Sequence, residues 1–96
     1  MKLNIRRLVL DVDKSVKEPS IIDLTKAVAG ATGVQAVNIL VTEIDLETVG
    51  MDITVEGDNI DYELLVKAIE SGGAVVNSID QIAAGDRIIE AVTRQR

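Results

Sequence analysis

The feature that most constrains this chain is the order in which its apolar periodicity switches. Leu8, Leu10 and Val12 alternate with Arg7, Val9 and Asp11, the period of two that a strand with two different faces requires. This predicts a first strand over Leu3–Val12, with the polar Asp13–Glu18 as the loop after it. Pro19 and Ser20 then open a helix: Ser20 and Asp23 stand in the capping-box relation, and Ile21, Leu24, Val28 and Ala31 recur at steps of three and four. Gly30 and Gly33 close it. Val34–Leu46 returns to alternation with apolar residues of both parities, Glu47, Thr48 and Val49 carry a turn, and Gly50–Glu56 alternates again. These two strands are predicted to form an antiparallel hairpin. Gly57-Asp58-Asn59 breaks the second of them. Asp61 caps another helix, Ile60 and Leu65 are spaced as its hydrophobic staple, and Gly72-Gly73 stops it. Ala74–Ile82 reads as a strand, and 86–96 as a C-terminal tail in which Ile88, Ile89 and Val92 suit either a short helix or an extra strand.

Strand, helix, strand, strand, helix, strand is the βαββαβ order. Joined by right-handed crossovers, it predicts a ferredoxin-like α+β domain over residues 1–96, a four-stranded antiparallel sheet with two helices on one face and the other face bare. A chain of 96 residues is one domain's length. Its apolar fraction is 47%, yet Tyr62 is the only aromatic, so the core must be built from aliphatic side chains. That is more aliphatic surface than a small monomer hides easily, which points to self-association into a homo-oligomer.

The formal charge of -6 argues against nucleic acid as a partner, which asks for a cationic surface, and a single Tyr offers no stacking platform. The chain has no cysteine and no histidine. That removes thiolate nucleophiles, imidazole bases and soft-metal ligands together, and leaves oxygen as the ligand for any metal. Neither a phosphate-binding G-x-x-x-x-G-K loop nor G-x-G-x-x-G is present. Lys2, Arg6 and Arg7 precede an apolar run, Leu8-Val9-Leu10, that is far too short for a signal-peptide core or a membrane span. The expectation is a soluble, cytoplasmic, non-enzymatic protein with no membrane partner.

The segments Glu18-Pro-Ser-Ile-Ile-Asp-Leu, Gly33-Val-Gln-Ala-Val-Asn-Ile and Val55-Glu-Gly-Asp-Asn-Ile-Asp-Tyr-Glu-Leu-Leu, with Ala68-Ile-Glu-Ser-Gly-Gly and Ser78-Ile-Asp, resemble the archaeal ArCR family of uncharacterised ferredoxin-like proteins. The likeness runs from Arg7 to Ile89. It implies the same fold and an oligomeric habit, and brings no activity with it. Gly33, Val34 and Val37 also resemble the Gly-Val-x-x-Val pattern of copper-chaperone domains, but the loop after the first strand, Asp13-Lys14-Ser15-Val16-Lys17, lacks the two cysteines that such domains place there.

Two groups of residues are candidates for a site. With the first and third strands taken as parallel central neighbours, Asp11 and Asp13 at the end of one lie near Glu56 and Asp58 at the end of the other. Clustered carboxylates raise one another's pKa unless a cation neutralises them, so Asp11, Asp13 and Glu56 are candidate ligands for Ca2+ or Mg2+; the competing reading is a solvated acidic rim. Glu43, Asp45 and Glu47 form a second acidic group, with Asp52 across the hairpin, and on an edge strand such charges serve mainly to prevent unwanted pairing. The second candidate is the bare sheet face. Val9, Leu40 and Ile44, with Val76, are assigned to it as interface residues, unless the tail folds back over them. Lys14 and Lys17 beside Ser15 are expected in a charged surface loop rather than an anion site. A regulatory alternative, a small-molecule-sensing domain of the amino-acid-binding βαββαβ kind, stands beside the assembly reading.

Overall fold

The computed structural model describes residues 2–94 and has the predicted order of elements. These are β1 (Ile5–Ser15), α1 (Ile21–Ala29), β2 (Val34–Ile44), β3 (Thr48–Gly57), α2 (Tyr62–Ser71) and β4 (Val75–Ala84). One sheet holds all four strands in the order β2-β3-β1-β4, and every neighbouring pair is antiparallel. This is the ferredoxin-like α+β arrangement.

Local signals start and stop the helices where the spacing places them. Ser20 Oγ accepts the Asp23 N–H at 3.0 Å, and the Asp61 carboxylate accepts the Leu64 N–H at 3.1 Å. Each cap satisfies a donor that the first helical turn leaves free. Ile60 and Leu65 are both buried, so the staple holds. Gly30 and Gly72 end the two helices.

The core lies between the sheet and the helices. Leu8, Leu10 and Val12 of β1 and Met51, Ile53 and Val55 of β3 are fully buried against Leu24 and Val28 of α1 and Leu65 and Ile69 of α2. Each such side chain contributes about 1.5–3 kcal/mol relative to exposure. The central strands therefore supply the core, and the outer strands β2 and β4 border it.

At the base of the sheet two backbones touch. Gly33 has φ +89°, the left-handed region, and its carbonyl accepts the Asp58 N–H at 3.0 Å. A Cβ on Gly57 would fall inside the van der Waals radius of that same carbonyl oxygen. Glycine at 57 is therefore what lets β3 leave the sheet beneath the start of β2.

Three boundaries differ from the sequence reading. β1 continues to Ser15, because Lys14 and Ser15 remain paired with Val49 and Thr48 of β3. The hairpin turn is Asp45-Leu46-Glu47, earlier than expected: the Asp45 N–H donates to the Thr48 carbonyl at 2.8 Å and its carboxylate accepts the Leu46 N–H at 2.9 Å. Residues 85–94 form neither a helix nor a strand; the last two residues of the tail lie outside the described residues.

The strands far outreach the helices. Helices of nine and ten residues are roughly 14–15 Å long at 1.5 Å per residue, whereas strands of ten and eleven residues reach roughly 33–37 Å. The helices cover less than half of the strand length, so aliphatic side chains remain uncovered on a molecule only 18 Å thick.

Candidate functional site

Placing the carboxylates requires the strand directions. A helical crossover makes β1 and β2 run the same way, and the tight hairpin then reverses β3, so β1 and β3 are antiparallel, not parallel. The consequence is a correction: Glu56 stands opposite Arg7, at the other end of β1 from Asp13. Glu56 does not join Asp11 and Asp13. Asp58 lies at that far end too, accepting from Asn4 Nδ2 at 2.8 Å.

What does gather around Asp11 and Asp13 is a different set. On the bare face Asp11 is paired directly with Asp52, and Asp13 with Gly50, whose other neighbour is Glu43. Gly50 leaves the space between them open: a Cβ there would stand 3.3 Å from Asp13 Oδ1 and 3.7 Å from Thr42 Oγ1. Asp11, Asp13 and Glu43, with Thr42, Thr48 and Asn77, line a polar recess of about 290 Å3. Among the described residues no three carboxylates converge closely enough to cage a metal ion. Of the second acidic group only Glu43 lies in β2; Asp45 and Glu47 belong to the turn.

Like charges directly opposite on a sheet are destabilising by roughly 0.2–1 kcal/mol. Asp52→Asn is therefore expected to raise the unfolding free energy from urea titration at low ionic strength by about that amount, and with it the midpoint, with the gain shrinking as salt screens the pair. A midpoint that falls, or a gain indifferent to salt, would show that repulsion is not what Asp11 and Asp52 contribute.

Glu56 instead belongs to a charged node around Arg7. Arg7 Nε donates to Glu56 Oε2 at 2.8 Å, with Nη2 in ion-pair contact with the same oxygen at 2.8 Å, and Nη1 donates to the two carboxylate oxygens of Glu90 at 2.8 and 2.9 Å. The tail is thus fastened under the sheet, helped by Arg6 Nε donating to the Gly85 carbonyl. Hydrogen bonding from Arg7, with its charge, holds the Glu90 carboxyl below its ordinary value, and the bonds to Glu90 and then Glu56 raise Arg7. A carboxyl depressed in the folded state stabilises above its unfolded pKa and loses that contribution as pH falls through the folded value. Backbone chemical shifts along 88–92 are expected to hold their neutral-pH values until pH falls below the ordinary glutamate range, and then to move toward those of a free chain. In Glu90→Gln the acid step should be absent; shifts in that variant identical to those of the parent at neutral pH would refute the latch.

The apolar candidates also separate. Val9 is half-buried at the centre of the bare face, and Leu40, 60% exposed, is on the same face in β2, as expected. Ile44 is not. Between the pairs Val41↔Met51 and Glu43↔Gly50 the strand carries an extra residue, and a one-residue bulge turns every later side chain to the other face. Ile44 therefore pairs with the buried Val49 on the helix side, where it remains 75% exposed. Val76 is on the helix side as well, opposite Val12 and packed against the core. Two shifts in the β1–β4 register likewise put Ile79 and Ile82 opposite Leu10 and Leu8. Both are about half exposed. The bare face is accordingly polar in the main, and the uncovered aliphatic surface collects on the two outer strands.

No helix among the described residues is long and apolar enough to cross a membrane. A family profile described as uncharacterised ArCR, domain of unknown function 211, matches residues 6–96. An uncharacterised protein of Methanocaldococcus jannaschii is 43% identical over 88 residues, which span 92% of this chain and 90% of that one.

Proposed function

This chain belongs to the uncharacterised ArCR family, and on that footing we propose that it is a non-enzymatic assembly module that joins copies of itself edge to edge, β2 of one copy beside β4 of the next. The observation that carries this is the exposure of Val41 and Ile44 on one outer strand and of Ile79 and Ile82 on the other, all on the helix side. Long outer strands with free backbone groups and aliphatic side chains invite pairing. Three antiparallel steps separate β2 from β4, so the two run in opposite directions. A neighbour's β4 set beside β2 in the same orientation continues the antiparallel alternation, and the helix-side aliphatic groups of the two copies meet. Because the joined edges differ, each added copy presents a fresh edge, and growth passes beyond a dimer until a ring closes.

Light scattering across the micromolar range is expected to give a constant molar mass that is a multiple, greater than two, of 10.3 kDa. A monomer at every concentration would sink the assembly, and a dimer would sink the pairing of unlike edges.

A hard divalent cation is the second element of this proposal, supported by the carboxylates of Asp11, Asp13 and Glu43 in one recess. Mg2+ keeps several waters and needs only one or two carboxylates, and Ca2+ accepts irregular oxygen sets. Titration calorimetry with either ion is expected to show saturable heat that Asp11→Asn abolishes; flat titrations with both would remove the cation from the account.

A further inference from the structure

Where β1 ends, the loop after it, the hairpin turn and the start of β4 enclose a groove of about 630 Å3, within the size range of small-molecule sites. Its lining combines three kinds of group. Val16, Leu46 and Val75 supply apolar walls, and all three are exposed in the free chain. Lys14 and Lys17 supply positive charge, and Glu47 negative charge; the Asp13 carboxylate turns to the bare face beside Gly50.

Lys14 is the unusual member. It is 6% exposed, the one buried charged residue among the described residues. Its ammonium donates to the Ser15 carbonyl at 2.8 Å, and it forms no ion pair with any described carboxylate. An ammonium has three donors, and a lysine is almost never this buried without an anionic partner. The sequence pattern places Lys14 in a solvated loop; instead it continues the buried parity of Leu8, Leu10 and Val12.

We propose that this groove binds a small zwitterion with an aliphatic side chain, a free α-amino acid of the leucine class. Its carboxylate takes the place of the anion that Lys14 lacks, its ammonium lies toward Glu47, and its side chain rests on Val16, Leu46 and Val75. Both signs of charge together with an apolar wall are what such a molecule requires, whereas a simple anion leaves the Glu47 carboxylate facing it.

Three molecules with the same aliphatic body separate the contributions: leucine, isocaproate, which lacks the amino group, and isoamylamine, which lacks the carboxylate. Followed by amide chemical-shift titration of the full chain, leucine is expected to saturate with shifts centred on Lys14, Val16 and Leu46. Isocaproate should bind at least about tenfold more weakly, and isoamylamine more weakly still. Lys14→Met, which keeps the stem and removes the charge, should retain the native amide spectrum and lose at least about tenfold in leucine affinity. Glu47→Gln, at an exposed position, should weaken leucine while leaving isocaproate unchanged. No saturable leucine binding, equal affinity for the three molecules, or undiminished binding to Lys14→Met together with Glu47→Gln would overturn the proposal.

Discussion

Replacing Gly57 with alanine is expected to destabilise the domain by more than about 3 kcal/mol, beyond the usual cost of overfilling a core. The reason is that the added methyl meets backbone and not a side chain. Its position overlaps the Gly33 carbonyl oxygen and approaches the Gln35 nitrogen at 3.0 Å. Neither can swing aside as a rotamer does, because Gly33 is itself in the left-handed region and holds the Asp58 N–H. Relief requires β2 to part from β3 at their base, where Ile60, next to the touching segments, donates its N–H to the Ile5 carbonyl at 3.1 Å. Gly30→Ala is the matched control. Gly30 has an ordinary φ of -81°, and the nearest atom to its added methyl is 3.5 Å away. That substitution should be neutral or stabilising by up to about 1 kcal/mol, because alanine restricts the unfolded chain more than glycine. Urea titrations of the two variants give the comparison; similar midpoints would contradict the close approach at Gly57.

The second large effect is expected on assembly. Ile44→Lys and Ile82→Lys each put an ammonium on the helix side of an outer strand, where the neighbouring copy would have to bury it. Both side chains are already exposed in a single copy, 75% for Ile44 and 52% for Ile82. The folded subunit should therefore keep its stability within about 0.5 kcal/mol, the usual range for surface substitutions. An interface that must bury an unpaired charge loses roughly 3–5 kcal/mol per contact, enough to reduce the particle to 10.3 kDa subunits at micromolar concentration. A pairing of unlike edges makes a further demand. Mixing the two variants leaves one intact β2 and one intact β4, so heterodimers should form and growth should stop there. Variants that assemble like the parent would show that neither edge is used.

The fold is legible in the sequence because each element carries its own punctuation. Ser20 and Asp61 announce the helices, Gly30 and Gly72 end them, and Leu8, Leu10 and Val12 alternate without interruption. The functional surface is less legible for two physical reasons. Strand direction is a property of the whole topology, and nothing in Glu56 itself says whether it neighbours Asp13 or Arg7; only tracing the crossover and the hairpin in turn places it beside Arg7. Bulges, for their part, leave no mark in an alternating pattern. The extra residue near Thr42 carries Ile44 to the helix side, and the shifts in β4 bring Ile79 to that side although its parity is opposite to that of Val76 and Ile82. Leu40 lies in the regular stretch between the two shifts of β2, and Val9 in β1, whose pairing with β3 is unbroken, so both lie on the face that alternation assigns to them. Lys14 misleads for a third reason: its polarity suggests a loop, while its parity, shared with Val12, is that of the core.

Edge pairing is tested most directly by amide hydrogen exchange on β2 and β4, compared between concentrations at which the protein is assembled and dissociated. The outward-facing amides of Val34–Ile44 and of Val75–Ala84 are expected to be protected together in the assembled state and to exchange freely in the dissociated one. Protection of β2 alone would indicate a symmetric dimer, and fast exchange on both strands at every concentration would contradict the assembly.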